Sequence, residues 1–197
     1  MSFELDHTPV RILGIGGDMS ERSLSRSALQ NALRIAEQAG ATSVLADIRD
    51  LNLPLYNSDW PLAQYPESLG WLLAQARFAD AFIICSPDYH FTVSGAVKNV
   101  LDTFNFLEDQ GYLGGKPVGL MATGVAVGNV VTALDHAVHD LNGLVVPTFA
   151  GIPSAAIDPA TGSIPAPAQE RLATMVGEVI DLARRLRLVD SPIHVST

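Results

Sequence analysis

Short apolar runs alternate with longer stretches of helical period along this chain. Residues 10–15 form an apolar run closing on Gly16 and Gly17, the pattern of a strand buried on both faces. Over residues 23–38, Leu24, Ala28, Leu29, Ala32, Leu33 and Ala36 make a helical stripe that Gly40 stops. Residues 43–48 predict a second strand, 50–66 a long loop rich in Pro, Asn and Asp, and 67–79 a helix. A third strand over 81–85 runs straight into Ser86 and Pro87. Then follow a helix over 93–107, a strand over 117–122, a helix over 129–141 and a fifth strand over 144–149. A loop with three prolines, 151–165, leads to a last helix over 166–186.

Five strands alternating with five helices predict an α/β domain whose parallel sheet is covered on both faces. The simplest doubly wound version is the flavodoxin-like order 2-1-3-4-5, in which a ligand sits outside the carboxyl ends of the strands near the first and third. The pattern does not itself fix the strand order. Without internal repeats or low-complexity segments, the expectation is one domain over 1–197, with tails at 1–9 and 188–197.

Composition narrows the picture. With 48% hydrophobic and 17% charged residues in 197, a large dry core is attainable. The net charge of −9 argues against a nucleic-acid groove, which needs clustered Lys and Arg. Arg184, Arg185 and Arg187 form the one dense basic patch, and near a helix end they are read as complementing the macrodipole rather than as an anion site. The single cysteine, Cys85, permits no internal disulfide, points to a reducing compartment and reads as a small buried hydrophobe. No apolar run approaches the roughly 20 residues that span a bilayer, and residues 1–9 lack a signal-peptide core, so the expectation is a cytoplasmic protein without a membrane partner.

Candidate chemistry lies in three loops that a doubly wound fold brings together. The first contains Gly17, Asp18, Ser20, Ser23 and Ser25. Glycines allow a tight turn, and serines opening a helix add hydroxyl donors to its exposed N–H groups, a combination suited to a phosphate. One serine alone is read as a helix cap; three after a glycine pair favour the phosphate. The segment is neither a Walker A loop nor the dinucleotide fingerprint, because Met19 stands at the third glycine position. The third loop, Thr123, Gly124, Val125 through Gly128, allows backbone approach to a flat ring and offers N–H groups to its polar edge. By itself it reads equally well as an ordinary strand-to-helix turn.

The second loop carries a resemblance. Pro87, Asp88, Tyr89, His90 and Phe91, followed by Gly95, Lys98, Asn99 and Asp102, resemble the signature of NAD(P)H-dependent FMN reductases: Ser/Thr-Pro-Glu-Tyr-Asn/His-Gly-Ser, then Gly-x-Leu-Lys-Asn-x-Leu/Ile-Asp. The first loop is similar to the family's Gly-Gly/Ser-x-x-Arg-x-x-Ser phosphate loop, and residues 47–56 to its segment after the second strand. Together the likeness spans roughly 10–153. It implies FMN, with the phosphate on 17–25 and the isoalloxazine against 87–91 and 123–128, in a homodimer or a dimer of dimers. It also implies a flavoprotein oxidoreductase in which FMN itself carries the hydride, NADPH or NADH is the co-substrate, and a small flavin, quinone or similar molecule is the acceptor. No protein side chain is then required as a catalytic acid or base. The alternative is a flavodoxin-type electron carrier without nicotinamide turnover.

Two positions depart from the pattern. Ser20 stands where the phosphate loop has Arg, with Arg22 displaced nearby. Phe91 stands where Gly follows the Tyr-His pair, and whether it narrows the site, stacks on a ligand or enters a dimer interface is left open. His90 is expected to act through backbone and shape. Lys98 reads equally as a charge partner or a solvated lysine, and Asn99 and Asp102 as packing and capping residues. His136 and His139 lie three apart on a predicted helix but lack a third ligand, so no metal is expected. Trp60 and Trp71 flank the long loop, and core packing is the commoner fate for such rings.

Overall fold

A computed structural model describes residues 8–190; the amino-terminal tail up to residue 7 and residues 191–197 lie outside the described residues. The first strand, β1 (Arg11–Gly16), is followed by α1 (Leu24–Gln38) and β2 (Thr42–Asp47). A helical turn, α2 (Ile48–Leu51), leads to α3 (Glu67–Phe78), β3 (Ala81–Tyr89), β4 (Thr92–Val93) and α4 (Gly95–Asp102). After a 3-10 segment, Thr103–Gln110, come β5 (Pro117–Thr123), α5 (Val127–Asp140), β6 (Leu144–Val145), β7 (Ala150–Ile152) and α6 (Ala166–Asp190).

The main sheet is parallel, in the order β2-β1-β3-β5, with β6 and β7 sharing the outer edge of β5. Counting β6 and β7 as one interrupted strand, this is the expected 2-1-3-4-5 order. The fold is a doubly wound α/β sandwich.

Alternation along each strand sorts the core into two layers, because successive side chains point to opposite faces. Leu13, Ile15, Phe82, Ile84 and Leu120 pack with α3, α4 and α5, whereas Ile12, Ile83, Cys85 and Met121 pack with α1 and α6. The central strands β1, β3 and β5 are buried on both faces, as their near-continuous apolar runs predict, whereas the edge strand β2 is half-exposed.

Four expectations are corrected. The third strand does not stop at Cys85: it continues through Pro87 to Tyr89 and turns back antiparallel as β4, pairing Asp88 with Val93 and Tyr89 with Thr92. The helix expected over 93–107 accordingly starts later, at Gly95, where the Ser94 hydroxyl accepts the Val97 N–H at 3.3 Å, and it tightens to 3-10 geometry after Asp102. The fifth strand is split. Pro147 has no N–H for a ladder, and the break is held instead by Glu178 of α6, whose carboxylate accepts the Thr148 N–H and hydroxyl, both at 2.8 Å. Finally, α6 runs to Asp190, so residues 188–190 are helical rather than tail.

Arg187 also departs from its expected role. It pairs with Asp80 and donates to the carbonyls of Thr8 at 2.7 Å and Pro9 at 3.1 Å, tying the end of α6 to the approach of β1. Trp60 and Trp71 are both partly exposed rather than core residues. Trp60 sets its edge on Tyr65, centroids 5.7 Å apart, and Tyr65 in turn meets Phe106 at 5.5 Å.

Candidate functional site

The loops after β1, β3 and β5 leave adjacent strands at their carboxyl ends, so the sheet order gathers the three predicted segments at one rim. Their proximity registers electrostatically: burial raises the pKa of both Cys85 and Tyr89, and the charge of Asp18 adds to the rise in each. Cys85 is fully buried, and its thiol is held protonated.

In the first loop Gly17 takes a φ of 99° and the chain turns so that its polar groups point inward. They converge on Asp18. The Asp18 Oδ1 accepts the Ser20 N–H at 2.8 Å and the Ser20 hydroxyl at 2.5 Å, while Oδ2 accepts the hydroxyls of Ser23 at 2.9 Å and Ser25 at 3.3 Å. Burial pushes the Asp18 carboxyl up, but the side-chain and backbone hydrogen bonds from Ser20, with those of Ser23 and Ser25, outweigh it and hold the pKa below its ordinary value. Ser23 also caps α1, accepting the Arg26 N–H at 3.1 Å.

Two residues outside the predicted set fasten this loop. Arg26 donates to Asp47 at 3.0 Å and to the Glu21 carbonyl at 2.5 Å, clamping the loop to the end of β2. The signal available in sequence was a cation in the first turn of α1 facing an acid that ends the neighbouring strand. That reading depends on knowing β1 and β2 are adjacent.

The second loop is a tight hairpin. His90 (φ 54°) and Phe91 (φ 65°) occupy its two corner positions, both left-handed, the conformation that two-residue hairpins demand and that favours Asn-Gly pairs. Phe91 therefore stands in a glycine position for a backbone reason, and its ring is exposed. Ser86 anchors the hairpin from below: its hydroxyl donates to the Pro87 carbonyl at 2.8 Å and accepts the Ser94 N–H at 2.9 Å.

Asp88 joins the second and third loops. One carboxylate oxygen accepts the Phe91 N–H at 2.9 Å; the other accepts those of Ala126 at 2.7 Å and Val125 at 3.3 Å. Gly124 makes this approach possible, since a Cβ there would lie 2.3 Å from the Asp88 Cβ, and its φ is 140°. The N–H groups that the sequence offered to a flat ring are thus partly engaged by Asp88. Thr123 is buried beneath the turn, whereas Gly128 faces open space with nothing within 4 Å of a notional Cβ. Met19, Tyr89, Phe91 and Val125, drawn from all three loops, stand exposed.

This arrangement lies within a longer match. Residues 10–157 fit the family model described as NADPH-dependent FMN reductase. The chain belongs to that family. An NAD(P)H-dependent FMN reductase from Pseudomonas aeruginosa is 32% identical over 124 residues, 63% of this chain and 64% of that protein. A quinone reductase from Escherichia coli is 29% identical over 119 residues, 60% of this chain and 62% of the other. The chain thus matches under two thirds of the length of either relative. Among solved structures, the flavoenzyme NAD(P)H:(acceptor) oxidoreductase FerB from Paracoccus denitrificans superposes with a TM-score of 0.70 at 19% identity, over 89% of this chain and 98% of that one, a likeness of fold.

Does this family member's rim suit a phosphorylated flavin? Four donors from Ser20, Ser23 and Ser25 converge on one buried carboxylate, that of Asp18, so the first loop gathers donors of the kind an anion takes. The donor set fits a phosphate monoester in kind and number once that carboxylate is withdrawn.

The remaining candidates fall outside the rim chemistry. Lys98 pairs with Asp102 one turn on, at 2.5 Å. Asn99 donates to the Pro54 carbonyl at 2.9 Å and accepts the Tyr56 N–H at 2.7 Å, pinning the long loop after β2. His139 turns back on its own helix, its Nδ1 2.9 Å from the Asp135 carbonyl oxygen. Among the described residues no three His, Cys, Asp or Glu side chains gather as a metal site, and no helix is long and apolar enough to cross a membrane.

Proposed function

We propose that the protein is an FMN-dependent NAD(P)H oxidoreductase that passes electrons to a small acceptor such as a flavin or quinone. The observation that carries the reading is the gathering, at one rim of the sheet and in a chain of this family, of an anion cradle and two turns with exposed apolar side chains. When bound, FMN supplies the hydride acceptance and donation.

The protein's own work is to bind, orient and exclude water. Ser20, Ser23 and Ser25 are the hydroxyls that would meet the phosphate, with Gly17 shaping the turn. Pro87, Tyr89, His90 and Phe91, with Thr123, Gly124, Val125 and Gly128, form the two turns that would support the ring. Asp88 keeps these two sides in register through its three N–H contacts. The exposed Met19, Tyr89, Phe91 and Val125 are apolar surface that a ring, an acceptor or a second copy of the chain would cover. A cytoplasmic homodimer that works without a metal, each chain acting as one flavin-binding domain over 1–197, accords with this reading.

The test is direct. Purified protein, reconstituted with FMN and stripped of excess, should be yellow and bleach when NADPH or NADH is added without oxygen. Colour that persists after nicotinamide addition would favour the electron-carrier alternative. Failure to retain or bind FMN would sink both.

A further inference from the structure

The phosphate cradle already holds an anion of the protein's own. Asp18 is 6% exposed, and its two oxygens take every serine donor that the first loop directs inward. Two anions cannot use the same hydroxyls without strong mutual repulsion. Among the described residues no cation is hydrogen-bonded to Asp18 to offset the clash. The position at which the resemblance expects Arg is Ser20, Arg22 is exposed, and Arg26 is spent on Asp47 and the Glu21 carbonyl.

We propose that Asp18 is a built-in competitor for the phosphate subsite, so that the protein grips flavin through its ring and discriminates only weakly between FMN and riboflavin. The inference rests on the flavin reading above. Ser23 and Ser25 are held by the start of α1, so it is the Asp18 carboxylate that must give up these hydroxyls when a phosphate enters. The low pKa of the carboxyl keeps the competitor charged through the neutral range. A flavin phosphate must therefore displace an ionised group that is already well bonded, and the energy gained from the cradle is largely cancelled by the energy lost from Asp18. Riboflavin, lacking the phosphate, leaves that pair intact and binds without the exchange.

The experiment titrates FMN and riboflavin separately into the full chain, following flavin fluorescence, for the native protein, Asp18→Ser and Asp18→Asn. The native protein is expected to bind the two flavins within about tenfold of each other. Asp18→Ser should tighten FMN by at least about tenfold while leaving riboflavin within about twofold. Asp18→Asn keeps the shape, removes the charge and should move FMN in the same direction, which covers the case of a serine variant that does not fold. Inorganic phosphate provides an arm free of flavin: it should raise the melting temperature of Asp18→Ser and not that of the native protein. An FMN-to-riboflavin ratio unchanged in both variants, or FMN weakened in both with riboflavin unaffected, would overturn the proposal; the latter would make Asp18 an organiser of the cradle. If no flavin binds any of the three proteins while phosphate stabilises only Asp18→Ser, the competitor stands as an anion gate and the flavin reading falls.

Discussion

At the scale of single residues, this rim is governed by acids and by backbone angles that resist substitution. Phe91 sits in a left-handed corner where a side chain costs about 1–2 kcal/mol relative to glycine. Phe91→Gly should therefore stabilise the fold by about 1 kcal/mol, after the entropy that glycine adds to the unfolded chain, read as a raised urea midpoint at constant slope. A lowered midpoint would mean that the exposed ring packs against something that offsets its strain. Ser23 has two duties, so Ser23→Ala should cost about 1 kcal/mol of stability through the lost α1 cap even in protein free of flavin. Asp18 links stability to acidity. Its folded pKa lies below the ordinary 3.8, so its contribution is complete above that value and is lost as pH falls through the lower, folded value. In acid titrations followed by circular dichroism, Asp18→Asn should lose less stability than the native protein below about pH 4.

At the scale of elements, two side chains hold whole segments in place. Asp88 alone accepts three N–H groups from two loops, and Asp88→Ala would leave them without a partner. Two of the three N–H groups are exposed and can turn to water, so the expected cost is about 1–2 kcal/mol, with the loss visible as faster amide exchange at Phe91, Val125 and Ala126. Protection unchanged at those amides would show that water or a neighbouring carbonyl replaces the carboxylate at little cost. Asn99 does the same for the long loop after β2, bridging to Pro54 and Tyr56. Asn99→Ala should leave the sheet intact while making the 53–65 stretch more open to proteolysis. These are the residues that the sequence marks within a signature, and their work is to fasten loops rather than to perform chemistry.

Across the whole molecule, the two apolar layers of the sheet are closed by a polar fastening at the edge opposite the site. Asp80 accepts the Arg11 N–H at 2.7 Å and pairs with Arg187, which also binds the Thr8 and Pro9 carbonyls. Because this network joins α6, β1 and the start of β3, Asp80→Ala should lower the melting temperature of the entire fold without changing flavin affinity. A change in flavin affinity would mean that strain at the amino edge of the sheet reaches its carboxyl rim.

Much of this architecture was legible in the chain. The alternation of apolar runs with helical stripes determined the α/β class, and the glycine pair with the serines and the Pro-Asp-Tyr-His segment located the first two loops, because burial and turn geometry restrict which residues can stand there. The splitting of the fifth strand at Pro147 and the turning back of the third strand at His90 and Phe91 were not legible, since both depend on which neighbour supplies or lacks a ladder partner. Nor was the role of the two acids. Asp18 and Asp88 read as members of a binding segment, yet their carboxylates take up the donors that a ligand would use. Sequence lists donors and acceptors; only the folded chain decides which of them meet, because that depends on distances between loops that are far apart along the backbone.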